Sequence, residues 1–329
     1  MIKENSCHKM ALVLGATGGI GGAIASALLR HGWHVRGLAR DVSKASRKGP
    51  NAIEWIEGDA MRSGDVARAA DGVSVLVHAV NPAGYRNWDR LVLPMIDNSI
   101  AAARDTRGAG GSARVVLPGT IYNYDAATTP VVDGQTEQRA NSAKGKIRIA
   151  LEQRLKNAAP EVPSLILRAG DFFGPGARSS WFSQLMVKSG KPVAKLVNPA
   201  RGGGHSWAYL PDLAESFALL LEERERLSDF EVLQFEGLYD ERGQDLIDGL
   251  SRVVGRALPV RRFPWWALKA IAPFGGFARE AAEIAPHWHH PLRLDNSRLV
   301  QLLGAEPRTK LDDALRATLK DMGCLKYRP

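Results

Sequence analysis

Three glycines early in the chain, Gly15, Gly18 and Gly21, have a spacing suited to a loop that holds a phosphate group. They follow a short apolar run at 11–14 and precede a helix-like segment that ends near Arg30. In such a strand–turn–helix, the first glycine permits the tight turn and the second lets backbone N–H groups approach a pyrophosphate. The third lets the helix pack on the strand, and the helix N-terminus adds partial positive charge. The stretch predicts a dinucleotide-binding turn, with these contact residues: Gly15, Thr17, Gly18, Gly19, Ile20 and Gly21.

The residue after the second predicted strand indicates which dinucleotide would bind. The strand predicted over 33–39 is followed directly by Arg40, and Asp41 lies beyond the strand end. An acid at the strand end would hold a ribose 2′-hydroxyl. An arginine there suits a 2′-phosphate through bidentate contacts. We therefore expect NADP(H) rather than NAD(H), with Lys44 or Arg36 as a further partner.

Apolar strands alternate with helix-like segments through the first half of the chain. We predict strands at 11–14, 33–39, 51–56, 73–79, 113–117 and 164–168, and helices ending near Arg30 and at 62–70, 88–106 and 143–158. This alternation is typical of an α/β protein with a doubly wound parallel sheet, in which helices cover both faces. Asp59, directly after the third strand, would meet the adenine amino group.

Loops rich in glycine and proline become frequent after residue 170, where we place a domain boundary. We expect a dinucleotide-binding domain over 1–170, to which a strand–helix pair at 205–225 returns. A smaller C-terminal α+β substrate lobe would comprise 171–204 and 226–329. Ligands bind at the carboxyl ends of the strands in such folds.

The bulk composition excludes several classes of protein. The 329 residues carry a net charge of +9, but the basic residues are scattered among acids, so we expect a small-molecule substrate and no nucleic-acid partner. No apolar run of about 18 residues occurs, so we expect no membrane partner. Only Cys7 and Cys324 are present, and no apolar signal core is seen, which predicts a cytoplasmic protein. We expect no metal site, and we place His287, His289 and His290 on the surface or at a pocket rim.

Several motifs, in this order, resemble those of the extended short-chain dehydrogenase/reductase family, in its NAD-dependent epimerase/dehydratase-like group. The resemblance covers nearly the whole chain. It rests on the glycine turn and on residues 58–59 (GD), 78–81 (HAVN), 167–175 (LRAGDFFGP), 205–214 (HSWAYLPDLA) and 302–309 (LLGAEPRT). It implies a Rossmann sheet and further cofactor contacts at Asp59, Ala60, Ala79, Val80, Asn81, Arg168, Ala169 and Gly170. It also implies substrate contacts at Asp171, Phe172 and Phe173, and a homodimer formed through the helices at 88–106 and 143–158. Trp181, soon after the Gly-Pro loop, is either a wall of the substrate pocket or a core aromatic.

The expected catalytic centre departs from the pattern of the resembled family. That family uses a Ser or Thr after the fifth strand and a later Tyr-x-x-x-Lys, whose tyrosine gives or takes a proton. Thr120 fits the first position. The helix at 143–158 lacks the tyrosine, and its alignment on the family pattern places Lys144 at the tyrosine and Arg148 at the lysine. Arg148 does not act as a base near neutral pH, so its role would be ribose or phosphate binding.

Three interpretations of this centre remain open. Lys144 would be the proton donor, as a lysine is in the isoflavone-reductase-like branch of the family, or Tyr122 or Tyr124 would take the empty place. In the third, the site binds a dinucleotide without chemistry. The preferred function is hydride transfer to or from a carbonyl or hydroxyl carbon of a small substrate, with Thr120 orienting it. The alternatives are a non-catalytic NADP(H)-binding regulatory or assembly protein and a nucleotide-sugar epimerase/dehydratase.

Overall fold

The computed structural model describes residues 9–82, 88–106, 111–272 and 276–325. The start of the chain, including Cys7, lies outside these residues, so the expectations on the N-terminal segment concern a part that is not described. The chain divides into two compact units. Unit 1 takes its described residues from Met1–Pro118, Ala150–Ile166 and Leu220–Val232, and unit 2 from Gly119–Ile149, Leu167–Leu219 and Leu233–Pro329.

A parallel sheet of seven strands forms the frame, and it confirms the predicted α/β doubly wound (Rossmann) class. Its strands are β1 (Met10–Leu14), β2 (His34–Ala39), β3 (Glu54–Glu57), β4 (Val75–His78), β5 (Arg114–Thr120), β7 (Ser164–Ala169) and β11 (Phe230–Gln234). Their order is β11-β7-β5-β4-β1-β2-β3. The chain therefore reverses direction of travel across the sheet after β3, and β1 and β4 lie side by side at that switch.

Local sequence explains the strand and helix at the centre of unit 1. Residues 11–14 of β1 are all buried, as expected for a strand covered on both faces. The following helix, α1 (Gly19–Arg30), buries Ile24, Ala25 and Leu28 along one face. The remaining helices that begin in unit 1 are α2 (Val42–Lys48), α3 (Ser63–Ala70) and α4 (Trp88–Arg104).

The strand predicted to return to the main sheet belongs to a different one. β10 (His205–Tyr209) pairs with β8 (Asp171–Phe173) and β12 (Leu238–Asp240) in a three-stranded sheet, so the expected return of this strand to the main sheet is wrong. Two features explain the difference. The edge beside β7 is occupied by β11, and Gly170 lets β10 approach closely, since a Cβ there would lie 2.0 Å from the Ser206 carbonyl oxygen.

Unit 2 is built around this small sheet and an apolar cluster. The cluster includes Phe182, Trp207, Trp265, Trp288 and Leu315, all buried. Two-stranded pairs join β6 (Val131–Val132) to β14 (Arg293–Leu294) and β9 (Leu196–Asn198) to β13 (Val260–Arg262). The helices that begin here are α5 (Ala143–Ala158), α6 (Leu210–Glu222), α7 (Asp245–Val254), α8 (Trp265–Ile271), α9 (Gly276–Ile284), α10 (Pro286–His289), α11 (Ser297–Leu303) and α12 (Leu311–Asp321). In the ranges that the structure describes, no helix is long and apolar enough to cross a membrane.

Candidate functional site

The glycine turn in unit 1 is close-packed against its own backbone and the loop after β4. Gly15 has a φ of +86°, and a Cβ at this position would lie 2.5 Å from the Ala79 carbonyl oxygen. A Cβ at Gly21 would lie 2.3 Å from the Gly15 carbonyl oxygen. Side chains at these positions would therefore meet backbone atoms, which explains why glycine stands there. The contact also brings Ala79 and Val80, predicted cofactor contacts, beside the turn.

The N-terminus of α1 presents backbone donors at this turn. Gly18 precedes the helix with extended backbone, and among the described residues no side chain caps the helix start. The first turn also carries no acidic residue. Unpaired N–H groups and the helix dipole suit an anion, so the turn fits the pyrophosphate of a dinucleotide. Thr17 and Gly18 are exposed there, and Gly19 and Ile20 are half-buried.

The end of β2 places the groups that were predicted to distinguish NADP from NAD. The strand ends at Ala39, and Arg40 follows it with an exposed side chain. Asp41 is the N-cap of α2, and its carboxylate accepts a hydrogen bond from the Lys44 backbone N–H (2.8 Å). Arg36 donates to the Glu54 carboxylate (3.1 Å) and to the Asp71 carbonyl (2.5 Å). Arg40 is therefore better placed than Arg36 to meet a ligand.

The turn after β3 is held in place by two side chains. Asp65 accepts from the Asp59 backbone N–H (3.0 Å), and the Asp59 carboxylate accepts from the Met61 N–H (3.0 Å). Asn98 on α4 donates to the Ala60 carbonyl (2.9 Å). Asn98 could not be inferred from the sequence, since its partner lies 38 residues away. Asp59 and Ala60, both predicted cofactor contacts, are thus fixed from α3 and α4.

In unit 2, three polar side chains from separate elements form a chain of contacts. The Tyr122 hydroxyl lies 3.4 Å from Asp171 Oδ1, and His205 Nε2 lies 2.9 Å from Asp171 Oδ2. Tyr122 is half-buried, whereas the His205 side chain is 2% exposed and that of Asp171 is 12% exposed. We call Tyr122, Asp171 and His205 the polar triplet. Thr120, at the end of β5, accepts through Oγ1 from the Tyr122 backbone N–H (3.3 Å).

The second candidate tyrosine occupies a different environment. Tyr124 is buried, and its hydroxyl oxygen accepts from Arg168 Nη1 at 2.5 Å. The Arg168 guanidinium also lies 5.4 Å from the centre of the Tyr124 ring. Arg168 is itself buried, so this contact lies in the interior of unit 2. Tyr122 is consequently the more accessible of the two hydroxyls.

The start of α5 carries Lys144 and Arg148, which were predicted to take the places of the family's tyrosine and lysine. Lys144 is buried, and its ammonium nitrogen lies 4.0 Å from a carboxylate oxygen of Glu283. A Cβ at Gly145 would lie 2.2 Å from the Tyr122 carbonyl oxygen, so the helix start packs directly on the backbone of the polar triplet. Arg148 lies one turn further along α5 and is half-buried.

The predicted substrate contacts fall into two groups. Asp171 belongs to the polar triplet, and its neighbour Phe172 is half-buried. Phe173 is buried in the core of unit 2, and Trp181 packs against Phe263, Trp265 and Trp288 with ring centres 5.4 to 6.3 Å apart. Trp181 thus contacts core aromatics while remaining partly exposed.

The histidines near the C-terminus are distributed unevenly. His287 is buried, contrary to the expectation of a surface or rim position, while His290 is exposed. The His287 Nε2 donates to the carbonyls of Tyr124 (3.1 Å) and Ile121 (3.3 Å). Burial lowers the pKa of His287. His287 therefore supports the loop that carries Tyr122. Across the described ranges, no group of three His, Cys, Asp or Glu residues could hold a metal ion.

Comparison with known families identifies the chain. Residues 11–233, more than half of it, match the model of the NAD dependent epimerase/dehydratase family. The chain belongs to that family. The resemblance inferred from the motifs is therefore confirmed, and with it the family's NAD(P)-dependent character.

Relatives and solved structures add two observations. The 3-diazoavenalumate denitrifying reductase of a Streptomyces species is 26% identical over 305 residues, which is 85% of this chain and 96% of that protein. Aldehyde reductase 2 of Sporidiobolus salmonicolor is 28% identical over 117 residues, 33% of this chain and 34% of that protein. The structure of UDP-glucuronic acid 4-epimerase from Bacillus cereus, in complex with UDP-glucuronic acid and NAD, has a TM-score of 0.72 at 18% identity and covers 95% of this chain and 98% of that one. The last comparison shows a shared fold.

Proposed function

We propose that this protein is an NADPH-preferring oxidoreductase that acts on a carbonyl or hydroxyl carbon of a small substrate. The observation that carries the proposal is the uncapped start of α1 beside the close-packed Gly15 turn, a cradle for a pyrophosphate. Family membership and the reductase names of two relatives support it. When bound, a nicotinamide dinucleotide would supply or accept the hydride.

The preference for NADPH rests on the end of β2. Arg40 is exposed directly after the strand, and the carboxylate of Asp41 is engaged at the start of α2. A free carboxylate is what a ribose 2′-hydroxyl would need, whereas a guanidinium suits a 2′-phosphate. Lys44, exposed in the same helix, adds positive charge nearby.

Side chains of the protein would orient the substrate and donate the proton. Thr120 would orient the substrate oxygen through its hydroxyl. The proton would come from Tyr122 or from the Lys144 ammonium, both of which lie beside the start of α5. Arg148 would bind a ribose or phosphate group, since a guanidinium does not exchange its proton near neutral pH.

Calorimetric titration with NADPH and NADH tests the cofactor assignment. A charge-assisted contact contributes about 1.5–3 kcal/mol, so Arg40→Ala should weaken NADPH binding about 10- to 100-fold. NADH binding should change by no more than a few fold. The control is Arg47→Ala. It removes a different exposed arginine, which lies within α2, and should leave the affinities for NADPH and NADH unchanged. Equal losses for the two cofactors in Arg40→Ala would exclude the 2′-phosphate contact.

Turnover separates this function from its alternatives. Oxidation of NADPH in the presence of aldehydes and ketones, followed by absorbance, would support the oxidoreductase. Stoichiometric NADPH binding without turnover on any carbonyl would favour a cofactor-binding regulator. Interconversion of UDP-sugars without net consumption of NADPH would favour an epimerase. Failure to bind either dinucleotide would exclude all three functions.

A further inference from the structure

The polar triplet has an unusual arrangement of donors and acceptors around His205. Both ring nitrogens of this histidine face oxygen atoms. Nδ1 lies 3.1 Å from the His287 carbonyl, which only accepts, and Nε2 lies 2.9 Å from Asp171 Oδ2. A neutral imidazole carries one N–H, so it would satisfy one of these two contacts and leave either the carbonyl oxygen or the carboxylate facing a lone pair.

An additional proton on the pair resolves this conflict. If His205 is an imidazolium, Nδ1–H donates to the carbonyl and Nε2–H donates to the Asp171 carboxylate. The ring of Trp288 stacks on His205 with centres 3.8 Å apart and planes 11° from parallel. An aromatic face in this position stabilises a cation. The contacts on both ring nitrogens and on the ring face are those that an imidazolium makes.

The other titratable groups around the pair are already accounted for by contacts. Asp240 lies opposite His205 in the β10–β12 register, but its carboxylate accepts from the backbone N–H groups of residues 244, 245 and 246. His287 donates through Nε2 to two carbonyls, and burial favours its neutral form by lowering its pKa. Among the described residues, the Tyr122 hydroxyl also contacts the pair, beside Asp171 Oδ1.

We propose that Tyr122 is the proton-donating catalytic residue and that the Asp171–His205 pair stores the proton that recharges it. The proposal rests on the oxidoreductase function above and selects Tyr122 over Lys144. When a carbonyl carbon accepts the hydride that a bound reduced nicotinamide dinucleotide would supply, the carbonyl oxygen would take the Tyr122 phenolic proton. The phenolate would then take a proton from the Asp171 carboxyl, which has received it on Oδ2 from His205 Nε2 and rotates to present it to the phenolate. The pair is left as a carboxylate and a neutral imidazole, and a solvent proton restores it.

Nitrogen NMR of the histidine rings tests the stored proton without substrate or cofactor. In the full-length, ¹⁵N-labelled protein near neutral pH, we expect the His205 ring to show two N–H groups, one directed at each oxygen that it faces. The resonances are assigned by their loss in His205→Gln. Asp171→Asn should leave a single N–H on the ring. A single ring N–H on His205 in the wild-type protein would overturn the stored proton.

Kinetics test the donor itself. With NADPH and whichever carbonyl is turned over, Tyr122→Phe should lower kcat at least about 100-fold, the usual contribution of a positioned proton donor. The dissociation constant for NADPH should change by no more than a few fold. Tyr239→Phe, which removes a hydroxyl from β12 in the same unit, is the matched control and should retain kcat.

The outcomes separate the two proposals. If NADPH binds and a carbonyl is reduced, but Tyr122→Phe retains kcat while Lys144→Met loses it, Tyr122 is not the donor and the oxidoreductase function stands. If no dinucleotide binds but His205 carries two N–H groups, the oxidoreductase function fails while the stored proton remains established.

Discussion

Replacing Gly15 with alanine offers a direct test of the cofactor turn, because the chain contains a matched control. Gly15 and Gly32 both lie in unit 1 and have φ values of +86° and +76°. A Cβ at Gly15 would lie 2.5 Å from the Ala79 carbonyl oxygen and 2.8 Å from its carbon, whereas a Cβ at Gly32 would meet nothing within 4 Å. The backbone strain is common to both, so the difference between the variants isolates the close approach of Ala79.

The expected magnitudes follow from these two terms. A left-handed alanine costs about 1–2 kcal/mol, of which lower entropy of the unfolded chain offsets about 0.4–1 kcal/mol. Forcing an additional carbon into a packed site costs about 1–3 kcal/mol more. Gly15→Ala should therefore lower the free energy of unfolding by about 1–3 kcal/mol more than Gly32→Ala. It should also weaken NADPH binding, because the backbone at Ala79 has to move.

Urea unfolding followed by circular dichroism measures the first quantity, and calorimetry measures the second. Gly32→Ala should bind NADPH as the wild-type protein does. Equal destabilisation by the two substitutions would refute the close packing of the turn on Ala79. A larger loss of unfolding free energy in Gly15→Ala than in Gly32→Ala, with unchanged NADPH affinity, would confirm the packing. It would also show that this packing does not control cofactor binding.

Two further predictions concern groups outside the proposed chemistry. Asp41→Ala should lower the free energy of unfolding by about 1 kcal/mol, because α2 loses its N-cap. Asp41→Asn retains the cap and should keep this stability. A loss of NADH affinity in both variants would instead identify Asp41 as a ribose ligand. Burial lowers the pKa of His287 in the folded protein. As the pH falls below about 6.5, this histidine therefore takes up a proton more readily in the unfolded chain than in the folded one, and the free energy of unfolding decreases. His287→Gln keeps an N–H donor without titrating, so its urea midpoint should decline less than that of the wild-type protein between about pH 7 and pH 5.5, and an equal decline would contradict this.

The parts of the fold that local sequence determines could be predicted. The apolar run of β1, the glycine turn and the start of α1 are adjacent in sequence, so their spacing alone indicates a strand, a turn and a helix. The end of β2 at Ala39 was also predictable, because Asp41 is followed by a helical segment and is a preferred N-cap type. Each of these features depends on contacts within a few residues.

Pairing between distant segments could not be predicted in the same way. The stretch His205–Tyr209 was predicted as a strand, but its sequence carries no information on which sheet it joins. Its place beside Asp171–Phe173 depends on the close approach at Gly170 and on the edge position that β11 takes. The contact between Asp171 and His205, 34 residues apart, follows only once that pairing is known. The polar triplet was missed for this reason, although Tyr122 and Asp171 had each been singled out.

The packing at the start of α5 brings the loop after β5 against the first turn of this helix. Glycine at position 145 lets the helix rest on the Tyr122 carbonyl oxygen, which fixes the end of β5 beside the first turn of the helix. Lys144 therefore lies next in sequence to the residue that contacts the backbone of Tyr122. A hydroxyl on the loop after β5 can then lie near the position that a hydroxyl on the first turn of α5 would take. On this argument, Gly145→Ala should impair Tyr122 and Lys144 together, whereas a substitution of either side chain should separate their roles.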